Sequence, residues 1–114
     1  MNTKNKGNNS EQLVCDFLIK QGNTIIARNY HCTFGEIDIL SLTKDGILCV
    51  TEVKTISSYW PEDDIRFAVD YSKQIRLKKT LKDYLVNNKV SYSSIRFDVA
   101  SVTGINISYF DGAF

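Results

Sequence analysis

The chain has 114 residues and a formal net charge of +1, so it is one domain large enough to bury a core without disulfides or a structural metal, and it lacks the global basic footprint of many nucleic-acid binders. Apolar residues at 43% and charged residues at 24% are ordinary for a globular protein. No run approaches the roughly 18 apolar residues of a membrane span, and the polar start lacks the apolar segment of a signal peptide, so the expectation is a cytoplasmic protein with no membrane partner.

Residues 1–9 carry four Asn and two Lys and read as a loose N-terminal arm, leaving residues 10–114 as the single domain. Asn9 or Ser10 is placed to cap a helix whose Leu13, Val14, Phe17 and Leu18 follow the helical period, and Gln21–Gly22 ends it. Glu11 sits in the first turn, where a carboxylate favours the helix dipole; it also borders the buried face, within reach of a site under the sheet. Thr24 to Arg28 reads as a strand and Asn29 to Gly35 as a turn. Two strands carrying acids follow, Gly35–Leu40 and Val50–Lys54, with Lys44–Asp45–Gly46 closing a three-residue hairpin loop between them. Cys15, Cys32 and Cys49 are odd in number and far apart, and His31 is the only His, so reduced thiols are expected rather than a zinc site.

A loop from about Ser57 to Asp64 carries Tyr59, Trp60, the only Pro and Glu62–Asp63–Asp64; Trp60 either stacks on a base or packs on the next helix. Residues 65–87 read as a helix with a break near Tyr71–Ser72 and an apolar stripe of Leu77, Leu81, Tyr84 and Leu85. Lys73, Arg76, Lys78, Lys79 and Lys82 crowd its polar side, as a solvated face or as a track for phosphates, with Lys73 at the edge of the apolar stripe. Ile95–Val99 alternates as a strand, and Ile105–Phe110 is another after the Thr103–Gly104 turn. The order helix, three strands, helix, two strands implies an α/β three-layer fold. Its mixed sheet has about five strands flanked by helices, with the first three strands as a meander and the long helix as a crossover.

The hairpin register concentrates the chemistry. If the loop is centred on Asp45, residues whose numbers sum to 90 face each other, which sets Asp38 opposite Glu52 and Glu36 opposite Lys54, all on one face. Two carboxylates with Cβ atoms about 4.5–5.5 Å apart repel. A hard divalent cation relieves that repulsion, because Mg²⁺ takes one or two carboxylates and keeps waters for its other positions. The plain alternative is a wet hairpin face with Glu36 and Lys54 as an ion pair worth about a few tenths of a kcal/mol. Leu40 and Val50 share the face, so the acids are expected to be partly buried, where unpaired carboxylates are costly.

An acid on one strand followed by Glu-x-Lys on the next, here Asp38 and Glu52–Val53–Lys54, resembles the signature of the PD-(D/E)XK nuclease superfamily with its restriction endonuclease-like fold. From about Ser10 to Phe114 the chain is similar to the YraN/UPF0102 family of small bacterial proteins, related in fold to archaeal Holliday junction resolvases. The resemblance runs through Glu11, Arg28–Asn29–Tyr30, Gly35–Glu36–Ile37–Asp38, Glu52–Val53–Lys54, Lys73, Arg96–Phe97–Asp98–Val99 and Ala113–Phe114. Two positions depart from the pattern: Ile37 replaces the superfamily's Pro, and Ile56 stands where the family has a basic residue, so one phosphate contact is missing.

The resemblance implies a Mg²⁺- or Mn²⁺-dependent DNA endonuclease acting on branched or structured DNA, as a homodimer where two symmetric strands are cut. Asp38, Glu52, the Val53 carbonyl and Glu11 are then the metal ligands, Lys54 positions or deprotonates the water, and Glu36 tunes Lys54. Lys73, Arg76, Lys79 and Trp60 contact DNA. The alternatives are a catalytically silent nucleic-acid binding or adaptor module with the same fold, and an interaction protein in which the acids and Lys54 form a structural ion network.

Overall fold

Stretches of β-branched residues punctuated by glycine turns alternate with two stretches of helical period, and each forms the element its pattern favours. The structure is a computed structural model; it describes residues 3–56 and 69–114, with side chains from Asn9 onward. In chain order the elements are α1 (Thr3–Lys20), β1 (Thr24–Cys32), β2 (Gly35–Leu42), β3 (Ile47–Thr55), α2 (Tyr71–Asn87), β4 (Ser94–Thr103) and β5 (Asn106–Phe110). They form one five-stranded sheet in the order β1-β2-β3-β4-β5. The β3–β4 pair is parallel, as a crossover through α2 requires, and the other neighbours are antiparallel.

Apolar residues separate onto the two sheet faces. Ile37, Leu40, Leu48, Val50 and Val99 pack with Leu77 and Leu81 of α2, while Ile39, Ala100 and Val102 pack with Val14, Cys15 and Leu18 of α1. The result is the three-layer α/β architecture expected from the element order. Among the described residues no helix is long and apolar enough to cross a membrane.

The three-residue loop forms as expected: Gly46 has φ +87°, and the Thr43 N–H donates to the Ile47 carbonyl at 2.9 Å. At the start of the chain the expectation needs correction. The helix begins at Thr3, so residues 3–9 are helical and Ser10 lies within the helix, not at its cap. Its buried hydroxyl accepts from Thr55 Oγ1 at 2.8 Å, a tertiary partner in place of a capping role. Likewise β1 continues to Cys32 through the expected turn. Asn29 keeps the left-handed backbone its residue type favours, with φ +51°, but pairing of Arg28 with Ile39 and Tyr30 with Ile37 carries the strand past it. The expected break before α2 is present, because the Asp70 carboxylate caps the helix by accepting from the Lys73 N–H at 2.8 Å.

Candidate functional site

The register inferred from the loop holds from Leu42↔Leu48 to Ile39↔Thr51 and then stops. Beyond that point β2 stays with β1, down to Gly35↔Cys32, while β3 stays with β4 as far as Thr55↔Val102. The two strands therefore part between the acids. Asp38 spans the gap: its Oδ2 accepts from the Val53 N–H at 2.8 Å, a donor that an unbroken ladder would have satisfied with backbone. Asp38 is 8% exposed and Glu52 6%, so the expected burial of both acids holds.

The parting overturns the expectation for Glu36. It pairs with His31 on β1, Nδ1 to Oε2 at 3.2 Å, and both side chains are exposed; it does not face Lys54. The lysine's neighbours are Glu52, whose Oε1 is 3.7 Å from Lys54 Nζ, and Lys73. Lys73 reaches from the first turn of α2 to the same Glu52 oxygen at 2.5 Å. Thus the residue at the edge of the helix stripe enters the acid cluster instead of lying on the outer face. Arg76 and Lys79 are exposed on that helix, with Lys79 Nζ 5.9 Å from the centre of the Phe34 ring. Trp60 lies outside the described residues, as do Tyr59 and Glu62–Asp63–Asp64.

Electrostatics follow from this crowding. Burial, then the charge of Glu52, pushes the Asp38 carboxyl up to about 7 against the bond from Val53. Burial, then the adjacent Lys73, holds Lys54 below the ordinary lysine range despite Glu52 and Asp38. Burial opposes the charge on Lys73 too, but Glu52 prevails and holds that ammonium above its usual value.

The donor set fits a hard divalent cation. Its members are carboxylates, and Glu11 Oε1 is buried with no hydrogen-bond partner among the described residues. Burial first, and the charge of Glu52 second, disfavour the ionised Asp38 carboxylate, and a cation beside it would favour that form. The ligands are not gathered in advance: among the described residues no three His, Cys, Asp or Glu side chains stand together as a ready-made metal cluster. In their present arrangement two ammonium groups occupy the neighbourhood of Glu52.

Other motif residues serve the fold. Asp98 is wholly buried and accepts from Arg96 Nε at 2.9 Å, the Tyr109 hydroxyl at 2.6 Å and the Gly112 N–H at 2.9 Å. Ala113 donates its N–H to the Phe97 carbonyl, and Phe114 packs on the Phe97 ring, so Arg96–Val99 and the last two residues fasten the C-terminus to β4. Tyr30 bonds Asp83 of α2 through its hydroxyl. The sequence did not single out Asp98 as a hub; its signal was a lone acid in an otherwise alternating apolar strand.

Among the described residues, a five-stranded mixed sheet between two helices, with Asp38 and Glu52-x-Lys54 at the parting of its second and third strands, defines an α/β domain of restriction endonuclease-like architecture. Residues 10–102 match the model for "Uncharacterised protein family UPF0102". The chain belongs to this family. It is 36% identical over 105 residues to a UPF0102 protein of Dictyoglomus turgidum, covering 90% of this chain and 85% of that one. With a UPF0102 protein of Lachnoclostridium phytofermentans it shares 36% identity over 118 residues, covering 100% and 96%. Among solved structures, Pyrococcus furiosus SfsA in complex with Ca²⁺ aligns with 90% of the chain at 15% identity and a TM-score of 0.27, and the alignment spans 60% of that protein. A likeness of that size carries no argument.

Proposed function

We propose that this protein is a Mg²⁺-dependent DNA endonuclease that hydrolyses phosphodiester bonds, with branched or otherwise structured DNA as its substrate. The observation that carries this reading is the burial of Asp38 and Glu52 where β2 and β3 part, with Lys54 beside them. Asp38, Glu52, the Val53 carbonyl and Glu11 would hold Mg²⁺ or Mn²⁺. Such an ion supplies a lowered pKa for a water and neutralises charge on the phosphate oxygens. Lys54, held below the ordinary lysine range, orients the attacking water through Nζ and is suited to take its proton. The orphaned Glu11 oxygen accepts a hydrogen bond from a second water or joins the ligands. Exposed Arg76 and Lys79 contact phosphates, which gives affinity without sequence preference. Cutting two symmetric strands of a junction takes a homodimer.

A second reading, a catalytically silent nucleic-acid binding module, draws support from the hold of Lys73 on Glu52. Incubating the purified protein with forked, four-way and linear DNA plus Mg²⁺ separates the two. The nuclease reading expects cleavage of structured DNA that disappears in Asp38→Ala, Glu52→Ala and Lys54→Ala. Binding without cleavage assigns the silent module, and cleavage persisting in both Glu52→Ala and Lys54→Ala places the activity elsewhere.

A further inference from the structure

Glu52 Oε1 meets two ammonium groups, Lys73 Nζ at 2.5 Å and Lys54 Nζ at 3.7 Å. Lys54 lies two residues from Glu52 on β3 and points to the same sheet face by alternation alone. Lys73 comes from a different element, and its place is fixed by the Asp70 cap, which bonds the Lys73 N–H and seats the first turn of α2 over the sheet. Two ammoniums on one carboxylate oxygen repel each other unless further negative charge lies close by. Asp38 provides it: its charge acts on both lysines, and the charge of Glu11 in turn reaches Asp38. Among the described residues, two carboxylates, Glu52 and Asp38, thus face two ammoniums, and when all are ionised their charges balance. The nearer lysine therefore stands where the site requires positive charge.

We propose that Lys73 is the resident counter-ion of Glu52, that a divalent cation entering the cluster displaces its ammonium, and that the freed Lys73 then contacts a substrate phosphate. The inference rests on the metal-binding reading above and adds to it an order of events. Lys73, Arg76 and Lys79 are spaced three apart and lie along one side of α2, so a released Lys73 extends a row of exposed cations toward the acids. Before the exchange the carboxylates take up both ammoniums, and the cluster offers a phosphodiester no net attraction. After it, a dication and two ammoniums exceed the carboxylates, and the same place attracts one. Phosphate binding at the centre is thereby tied to the presence of the metal.

The test uses the full chain and needs no turnover. Calorimetry with Mn²⁺ should show Lys73→Met binding about tenfold more tightly than wild type, the gain from removing one competing cation. Fluorescence anisotropy with four-way DNA should show wild-type affinity rising when Ca²⁺ replaces EDTA, with most of that rise absent in Lys73→Met. Because Lys73→Met leaves Glu52 short of a partner and can fail to fold, the exchange is also followed in wild type. The Lys73 ¹⁵Nζ NMR signal should shift on titration with Mg²⁺, with a midpoint matching calorimetry. Equal Mn²⁺ affinity in the two proteins, or a Lys73 signal unmoved at saturating Mg²⁺, overturns the exchange while leaving the metal site standing. DNA affinity that ignores Ca²⁺ overturns the phosphate role. If neither protein binds Mn²⁺, the metal site fails and the exchange fails with it.

Discussion

Asp38 combines a structural bond with a costly charge. Its Oδ2 satisfies the Val53 N–H left over where the strands part, yet burial and Glu52 push its carboxyl up to about 7 from an ordinary 3.8. The unfolded chain thus releases this proton near the ordinary value, while the folded, metal-free chain holds it until about 7. More protons are bound in the folded state across that window, so the contribution of Asp38 to stability falls as pH rises through it and levels off above. Asp38→Asn keeps an acceptor for Val53 without the charge. Metal-free urea unfolding should find this variant gaining on wild type from pH 4 to pH 7, with a constant advantage beyond; a wild-type advantage at pH 8 would remove the argument. Asp98 presents the opposite balance, a buried carboxylate surrounded by donors from Arg96, Tyr109 and Gly112. Asp98→Ala leaves those donors unpaired and should cost about 3–5 kcal/mol in the same assay, with no dependence on added metal.

At the scale of elements, the site depends on where one strand lets go of another and where one helix begins. β2 and β3 share only the four pairs from Ile39↔Thr51 to Leu42↔Leu48, because each is drawn to its outer neighbour past that point. That division exposes a gap which acids and lysines fill. The start of α2 is set by Asp70, whose cap also orients the turn bearing Lys73. Asp70→Ala should lower stability by about 1 kcal/mol, the usual value of such a cap. Circular dichroism melts would measure the loss, and NMR should show a weakened Lys73–Glu52 contact even where the fold persists. A variant that melts lower with that contact intact would separate the cap from the site.

For the whole molecule, the two helices among the described residues pack against opposite sheet faces, with Lys73 of α2 bonded to Glu52 and the charge of Glu11 of α1 reaching Asp38. A ligand bound there should stabilise the entire domain. At a concentration 100 times its Kd, Mg²⁺ should add about 2.7 kcal/mol. Since the Asp38 proton has to leave first, the rise in Tm at fixed Mg²⁺ should be larger at pH 8 than at pH 6 and absent in Asp38→Ala. An equal rise at both pH values, or in the variant, would move the ion to other ligands. Much of this was legible in the amino-acid order. Glycine placement and apolar period determine the succession of elements, and the loop at Lys44–Gly46 sets the register that holds through Ile39↔Thr51. These are local preferences, which neighbouring residues settle among themselves. Competition between distant partners lay beyond their reach: β1 against β3 for β2, Thr55 against the cap for Ser10, and Glu52 against solvent for Lys73. Each of those outcomes depends on residues brought together only by folding, so tertiary structure alone decided that Glu36 turns to His31 and that a lysine of α2 stands among the acids.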